Sequence, residues 1–303
     1  MRMSCDSRGK RGDRMASDNG LLSVSSVEDV QAEQDVGRDR SEPVHLSRKR
    51  SRFLNRIGVE GASLLAGLGI WYVIGEYFSA RLVPTPIVVA RTLWSLASTG
   101  SLERNIGASL ERVLIGFLLG LVAAVPVGFM TGWYSIANRI AEPWIQFFRT
   151  IPPIALIPLI IVYLGIGKEA QTSVIFFAVF LTVVITVHQG VRHVDATLIR
   201  AARVLGVEKN SKLFRYVILP SALPHIFVGI RLGLAGAWTT LIAAELIAAQ
   251  HGLGYMIQVA STLFEIPVVY AGIFTIGVLG FTMDRLVLIF YRRISRWQDV
   301  GEK

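Results

Sequence analysis

Cysteine is nearly missing from this 303-residue chain. Cys5 is the only one, it lies in a polar stretch, and it can neither pair within the chain nor gather partners around a metal. A disulfide-stapled secreted fold and a cysteine-ligated metal site are thereby excluded. Charge is scarce as well: Asp, Glu, Lys and Arg make up 17% of residues, against about 25% in a soluble domain, too few to cover a water-facing surface. Catalytic signatures are also lacking. There is no Gly-x-x-x-x-Gly-Lys-Ser/Thr phosphate loop, and no His-Glu-x-x-His, paired-carboxylate or Ser-His-Asp arrangement. The chain is therefore not expected to hydrolyse ATP or to act as an enzyme, and it calls for no cofactor and no metal. What it has in quantity is apolar: 52% of residues are hydrophobic and the mean hydropathy is +0.50. An integral membrane protein remains, and the net charge of +9 needs a membrane explanation.

The charge is unevenly placed. Residues 1–56 are polar and end in the run Ser47-Arg48-Lys49-Arg50-Ser51-Arg52. Such a stretch buries too little to fold alone and is expected to be a disordered cytoplasmic tail. It is not a signal peptide, because the first apolar segment begins only near Ile57. Beside a hydrophobic segment the basic run reads as an anchor to anionic membrane lipid rather than a nucleic-acid patch.

Apolar segments then recur at the length of about 20 residues that a spanning helix needs. They cover residues 61–77, 113–133, 151–167, 170–191, 232–249 and 266–283, which predicts six transmembrane helices in a domain of residues 57–292 and a short tail at 293–303. The third segment carries Pro152, Pro153 and Pro158, tolerable only where a bundle satisfies the freed carbonyls. Residues 216–230, broken by Pro220 and Pro224, read as interfacial or as the start of the fifth span, and a seventh span there is the weaker reading. Gly116, Gly120, Gly128 and Gly132 recur as small-residue helix contacts do. With the N-terminus inside, Arg48, Lys49, Arg50, Arg52, Arg56, Arg139, Arg192, Arg200, Arg203, Lys209, Lys212, Arg215, Arg292, Arg293 and Arg296 all fall on the cytoplasmic side. The outer face receives Arg81, Arg91, Arg104 and Lys168. The excess of inner cations predicts both termini in the cytoplasm.

One cytoplasmic connection stands out. Across residues 192–219, Asp195 is placed to cap a helix through Leu198, Ile199, Ala201, Ala202 and Leu205, and Gly206 to stop it. A second amphipathic stretch, residues 211–219, runs into Pro220. This helix–turn–helix pair is either a hairpin covering the base of the bundle or a docking element for a cytoplasmic partner. Outside the membrane, Pro86 opens a short interfacial helix over residues 86–96.

The run Arg200-Ala201-Ala202-Arg203-Val204-Leu205-Gly206, with Val217-Ile218-Leu219-Pro220 after it, resembles the Glu-Ala-Ala loop of ABC importer permeases. Arg200 stands in place of that family's glutamate, and the interval from Gly206 to Pro220 is one residue longer than the motif leads one to expect, which suggests a bulge near residues 208–211. Residues 149–159 with Leu164-Gly165-Ile166-Gly167, residues 243–249 with Gly252-Leu253-Gly254-Tyr255-Met256, and Val83-Pro84-Thr85-Pro86 are similar to permeases for taurine, aliphatic sulfonates and nitrate, with wording nearest the taurine members. The resemblance covers roughly residues 64–291. It implies an all-α, type I (MetI-like) importer permease bundle in the cell inner membrane, working by alternating access. Coupling would run through Arg200, Ala201, Ala202, Gly206, Ile218, Leu219 and Pro220 to two separate ATP-binding subunits. The other implied partners are a second permease copy in a homodimer and an external solute-binding protein.

Polar groups within spans are functional candidates by default. Trp238, Thr239 and Glu245 are candidates for the translocation path, although for an anionic substrate Glu245 reads better as a structural hydrogen-bonding group. His188 reads as interfacial, and Arg149 and Arg231 as snorkelling cations. Two rival functions are an ion-coupled secondary transporter, which would show internal repeats and paired broken helices, and a non-transporting scaffold.

Overall fold

The computed structural model describes residues 47–77 and 82–295, with side chains from residue 61. The chain forms two units, residues 1–64 and 65–303. Of the first, only the opening part of α1 (Ser47–Tyr77) lies among the described residues, so the predicted tail over residues 1–56 falls outside them as far as residue 46. From Ser47 the described chain is helical.

The described residues hold no strand. After α1 come α2 (Pro86–Ser98), α3 (Ser101–Trp133) and α4 (Ser135–Arg149). A 3₁₀ turn (Pro153–Leu156) leads to α5 (Ile157–Leu164), followed by α6 (Lys168–Arg192), α7 (Ala196–Val204) and α8 (Asn210–Leu213). A π-helical turn (Phe214–Ile218) joins α8 to α9 (Leu219–Ala248), and α10 (Leu253–Thr262) and α11 (Ile266–Ile294) complete the order. Pro86 occupies the first turn of α2, where its missing N–H is no loss.

The count of six spans needs correction. Among the described residues, four helices are long and apolar enough to cross a membrane: Ser101–Trp133, Lys168–Arg192, Asn210–Ala248 and Ile266–Ile294. A fifth is obtained if α4 and the Pro153–Leu164 segment count as one span, but the two are bent by 86°. The cause is local. Pro152 and Pro153 donate no N–H and disfavour helix at the residue before each, so the chain cannot continue straight past Arg149. The first predicted segment lies in α1, which is not among these helices.

Helix α6 is the centre of the bundle, with α3 along one side and α9 along the other. Val183, Val184 and Val187 on α6 are fully buried. The α3 glycines make this packing close: a Cβ at Gly116 would fall 2.7 Å from Ile175, and one at Gly128 would fall 2.6 Å from Val187. With little hydrophobic drive between helices in lipid, such close backbone approach supplies the attraction.

Candidate functional site

The first limb of the loop over residues 192–219 folds into a capped helix. Asp195 Oδ1 accepts from the Thr197 backbone N–H at 2.7 Å, and this bond holds the Asp195 carboxyl below its ordinary range. At the other end of α7, Gly206 adopts φ +85°. Its N–H donates to Arg203 O at 3.1 Å, and the Val207 N–H donates to Ala202 O at 3.0 Å. That reciprocal pair is a Schellman stop, in which the left-handed residue favours glycine. Arg200, Ala201 and Gly206 are exposed, whereas Ala202 is buried against the core. The apolar tip is uncovered: Val204 is 88% exposed and Leu205 83%.

The second limb departs from expectation. Residues 211–219 are not a separate helix of a pair. They run through α8 and the π turn straight into α9, so residues 216–230 belong to the fifth predicted span. A π turn holds one more residue than an α turn. The π turn at Phe214–Ile218 lies within the interval from Gly206 to Pro220. Phe214 packs edge-on to Phe129 of α3, with centroids 5.0 Å apart, and Ile218 is fully buried. Leu219 and Pro220 are half-buried at the start of α9. Of the seven loop residues, Arg200, Ala201 and Gly206 face outward, while Ala202 and Ile218 fix the loop to the bundle.

The three path candidates do not share a surface. Thr239 lies on the open face of α9. Trp238 is buried, and its Nε1 has no partner among the described residues. Glu245 is 1% exposed and sits in a polar network that sequence reading missed. Ser109 Oγ lies 2.7 and 2.9 Å from its two carboxylate oxygens. Arg112 Nη1 donates to Oε1 at 2.7 Å and to His251 O at 2.8 Å. The Gly254 N–H donates to Oε2 at 2.8 Å, the Leu253 N–H to Ser109 Oγ at 2.8 Å, and the Gly252 N–H to Asn105 Oδ1 at 2.9 Å. Side chains of α3 and α9 therefore satisfy the first N–H groups of α10, which Gly252 cannot cap itself. Gly252 has φ +133°, and any Cβ there would strike the Glu245 carboxylate. Glu245 lines no open surface of this chain, and both of its carboxylate oxygens are met by donors.

The signal for this network was present in the sequence. Asn105, Ser109 and Arg112 recur at helical spacing on one face, and a lone acid in a span demands a cation. Arg231, read as a snorkelling cation, forms a two-point pair with Asp284 of α11, Nε to Oδ1 at 2.7 Å and Nη2 to Oδ2 at 3.0 Å.

Long apolar helices packed around a tight centre, with a capped and uncovered helix in one connection, are the build of a membrane-embedded helical bundle. The comparisons give the class its family. The chain belongs to the binding-protein-dependent transport system inner membrane components, whose pattern it matches over residues 116–296. It is 48% identical over 246 residues to a probable ABC transporter permease protein of Brucella abortus, covering 81% of this chain and 98% of that one. It is 33% identical to the taurine transport system permease protein TauC of Escherichia coli, covering 85% of this chain and 96% of the relative. It is 30% identical to the nitrate import permease protein NrtB of Synechococcus elongatus, covering 75% and 86%. Its fold is shared with a crystal structure of an amino acid ABC transporter, with TM-score 0.56, 18% identity, and coverage of 66% of this chain and 97% of that one. It is shared too with an inward-facing MetNI methionine ABC transporter, with TM-score 0.50, 22% identity, and coverage of 64% and 94%. The chain is thus an importer permease of the sulfonate, taurine and nitrate group.

Proposed function

We propose that this chain forms half of the membrane pathway of an ATP-driven importer for a small organosulfonate, taurine or an alkanesulfonate. Two ATP-binding subunits dock on α7 from the cytoplasm. A second copy of the chain completes a homodimer, and an external binding protein delivers the solute. Both termini are cytoplasmic. The observation that carries the coupling assignment is the end of α7. Val204 and Leu205 are large, apolar and uncovered, held in place by the Gly206 stop and by the buried Ala202. A capped helix that leaves two such side chains in water is what a docking groove would accept. The chain carries no phosphate loop, so the energy must arrive through a contact of this kind.

Sulfonate as the substrate class rests on the named relatives, which include taurine and aliphatic-sulfonate permeases at 33–35% identity. The bent pair α4–Leu164 is the observation that favours an ion-coupled secondary transporter, since such proteins use broken helices at their sites. They carry them in corresponding pairs, however, and one bend does not make a pair.

Uptake by cells lacking their own sulfonate and nitrate systems tests the reading, using this chain with its ATP-binding and solute-binding partners. Taurine or an alkanesulfonate is expected to accumulate, and nitrate is not. Leu205→Asp, which changes an exposed side chain and leaves the core alone, is expected to abolish both uptake and co-purification with the ATP-binding subunit. Preserved co-purification in that variant contradicts the docking role of α7, and nitrate uptake without sulfonate uptake contradicts the substrate class.

A further inference from the structure

Two charged side chains within spans meet each other yet stay open on one side. Arg231 of α9 lies about 18 Å past Leu219 along the axis, at ~1.5 Å per residue. Asp284 of α11 lies about 15 Å before Ile294 on the same measure. The two helices run antiparallel: Phe227 packs on Tyr291, Arg231 pairs with Asp284, and Trp238 faces Gly280. In this seam the side chains of the pair are 44% and 33% exposed. The Arg112–Glu245 pair, by contrast, is sealed by the chain itself. An open charge inside a span is costly against lipid tails and is kept where it faces water or a protein-lined cavity. The face of α9 that carries Arg231 continues in small side chains. Ala235 and Thr239 follow at steps of four residues and are exposed, and a Cβ at Gly236 would meet nothing within 4 Å.

The charges do not cancel. Arg285, next to Asp284 on α11, is within electrostatic reach of its carboxylate. The Arg285 guanidinium lies 4.8 Å from the centre of the Phe281 ring. Two guanidiniums around one carboxylate leave a net positive cluster, which attracts an oxyanion and repels a cation. Geometry adds to charge. Arg231 meets Asp284 with Nε on one carboxylate oxygen and Nη2 on the other. A guanidinium fork that fits two oxygens of a carboxylate fits two oxygens of a sulfonate as well. When a sulfonate displaces Asp284, the carboxylate keeps Arg285 nearby, so the exchange strands neither charge.

We propose that Arg231, Asp284 and Arg285 form an anion-binding site on the solute path, where a sulfonate takes the place of Asp284 on the Arg231 guanidinium. This rests on the sulfonate-importer reading and deepens it, by placing a charge-selecting step between α9 and α11.

Cysteine protection in the assembled transporter tests the site. Ala235→Cys, in a Cys5→Ser background and bound to the ATP-binding subunits in nanodiscs, is treated with a quaternary-ammonium methanethiosulfonate, which reacts with thiols in water. The cysteine is expected to react, and saturating ethanesulfonate to slow the reaction about tenfold. Asp284→Asn removes the competing carboxylate and is expected to lower the half-protecting concentration about tenfold. Arg231→Gln is expected to abolish protection while the cysteine still reacts. If Arg231→Gln is unfolded by its thermal transition, the sign of the Asp284→Asn effect decides, because a merely structural pair would lose protection in that variant. No reaction at Ala235→Cys means that lipid or a second copy covers the face, and it overturns the proposal. Protection unchanged in folded Arg231→Gln overturns it too. Nanodiscs of phosphatidylcholine, alone or with phosphatidylglycerol, separate the two sources of an oxyanion. A reaction blocked only when phosphatidylglycerol is present assigns Arg231 to lipid phosphate and overturns the solute site. Uptake in cells separates this site from the importer reading. Sulfonate accumulation without protection removes the site alone, and protection without accumulation of any sulfonate removes the importer reading alone.

Discussion

A carboxylate inside a bundle of apolar helices is tolerated only when its oxygens are met by donors. Glu245 receives Ser109, Arg112 and the Gly254 N–H. The side chains of the Arg112–Glu245 pair are 11% and 0% exposed. Removing one member of such a pair leaves the other buried and uncompensated, at a cost of about 3–5 kcal/mol. Arg112→Met is therefore expected to lower the thermal unfolding midpoint of the purified protein sharply. The double variant Arg112→Met with Glu245→Gln should lose less than the single. A single variant as stable as the wild type contradicts the clamp. Gly252→Ala should act in the same direction, because φ +133° and the Glu245 oxygens both exclude a Cβ.

At the level of elements, α7 was legible in detail. Asp195, the apolar spacing and Gly206 marked its two ends, and the structure shows the cap bond and the left-handed stop. The Asp195 carboxyl is held below its ordinary range in the folded chain. The stability it lends is present above the unfolded-state value and is lost as pH falls through the lower, folded one. Amide exchange at the start of α7 should accelerate as the medium is acidified below about pH 4, and Asp195→Asn should flatten that dependence. A pH profile identical in the two proteins contradicts the cap's role. The α3–α6 packing was legible too, since the glycine spacing marked where backbones meet. A Cβ at Gly128 would already lie 2.6 Å from Val187, so Gly128→Leu should destabilise by at least the cost of overpacking, about 1–3 kcal/mol. The prolines at 152 and 153 were read correctly as disruptive, but a bend of 86° depends on what the freed ends pack against, which a single segment does not specify. The Glu245 network was missed for a related reason. Asn105, Ser109 and Arg112 meet their partners more than 130 positions away along the chain, and helical periodicity reports only the near ones. The π turn was not legible, because a contact such as Phe214 on Phe129 joins residues far apart in the chain.

The whole molecule presents more apolar surface than a lone chain keeps in water. Leu64, Leu65, Ile70 and Val73 on α1, and Phe281, Leu286 and Phe290 on α11, are all exposed, and lipid or a second copy is the cover their chemistry calls for. The basic excess predicts that the loop of α7 lies inside and α2 outside. With Cys5 replaced by serine, a membrane-impermeant maleimide should label Thr99→Cys in intact cells, and Val204→Cys only after permeabilisation. Labelling of both from one side contradicts the topology. Transport driven by an energy source on another chain is tested in proteoliposomes. There, the chain is combined with its ATP-binding subunits and solute-binding protein and given ATP and labelled taurine. ATP-dependent accumulation of taurine in the wild type, lost together with substrate-stimulated hydrolysis in Gly206→Pro, is the predicted result. Accumulation without ATP, or uptake and hydrolysis unchanged in Gly206→Pro, would contradict it.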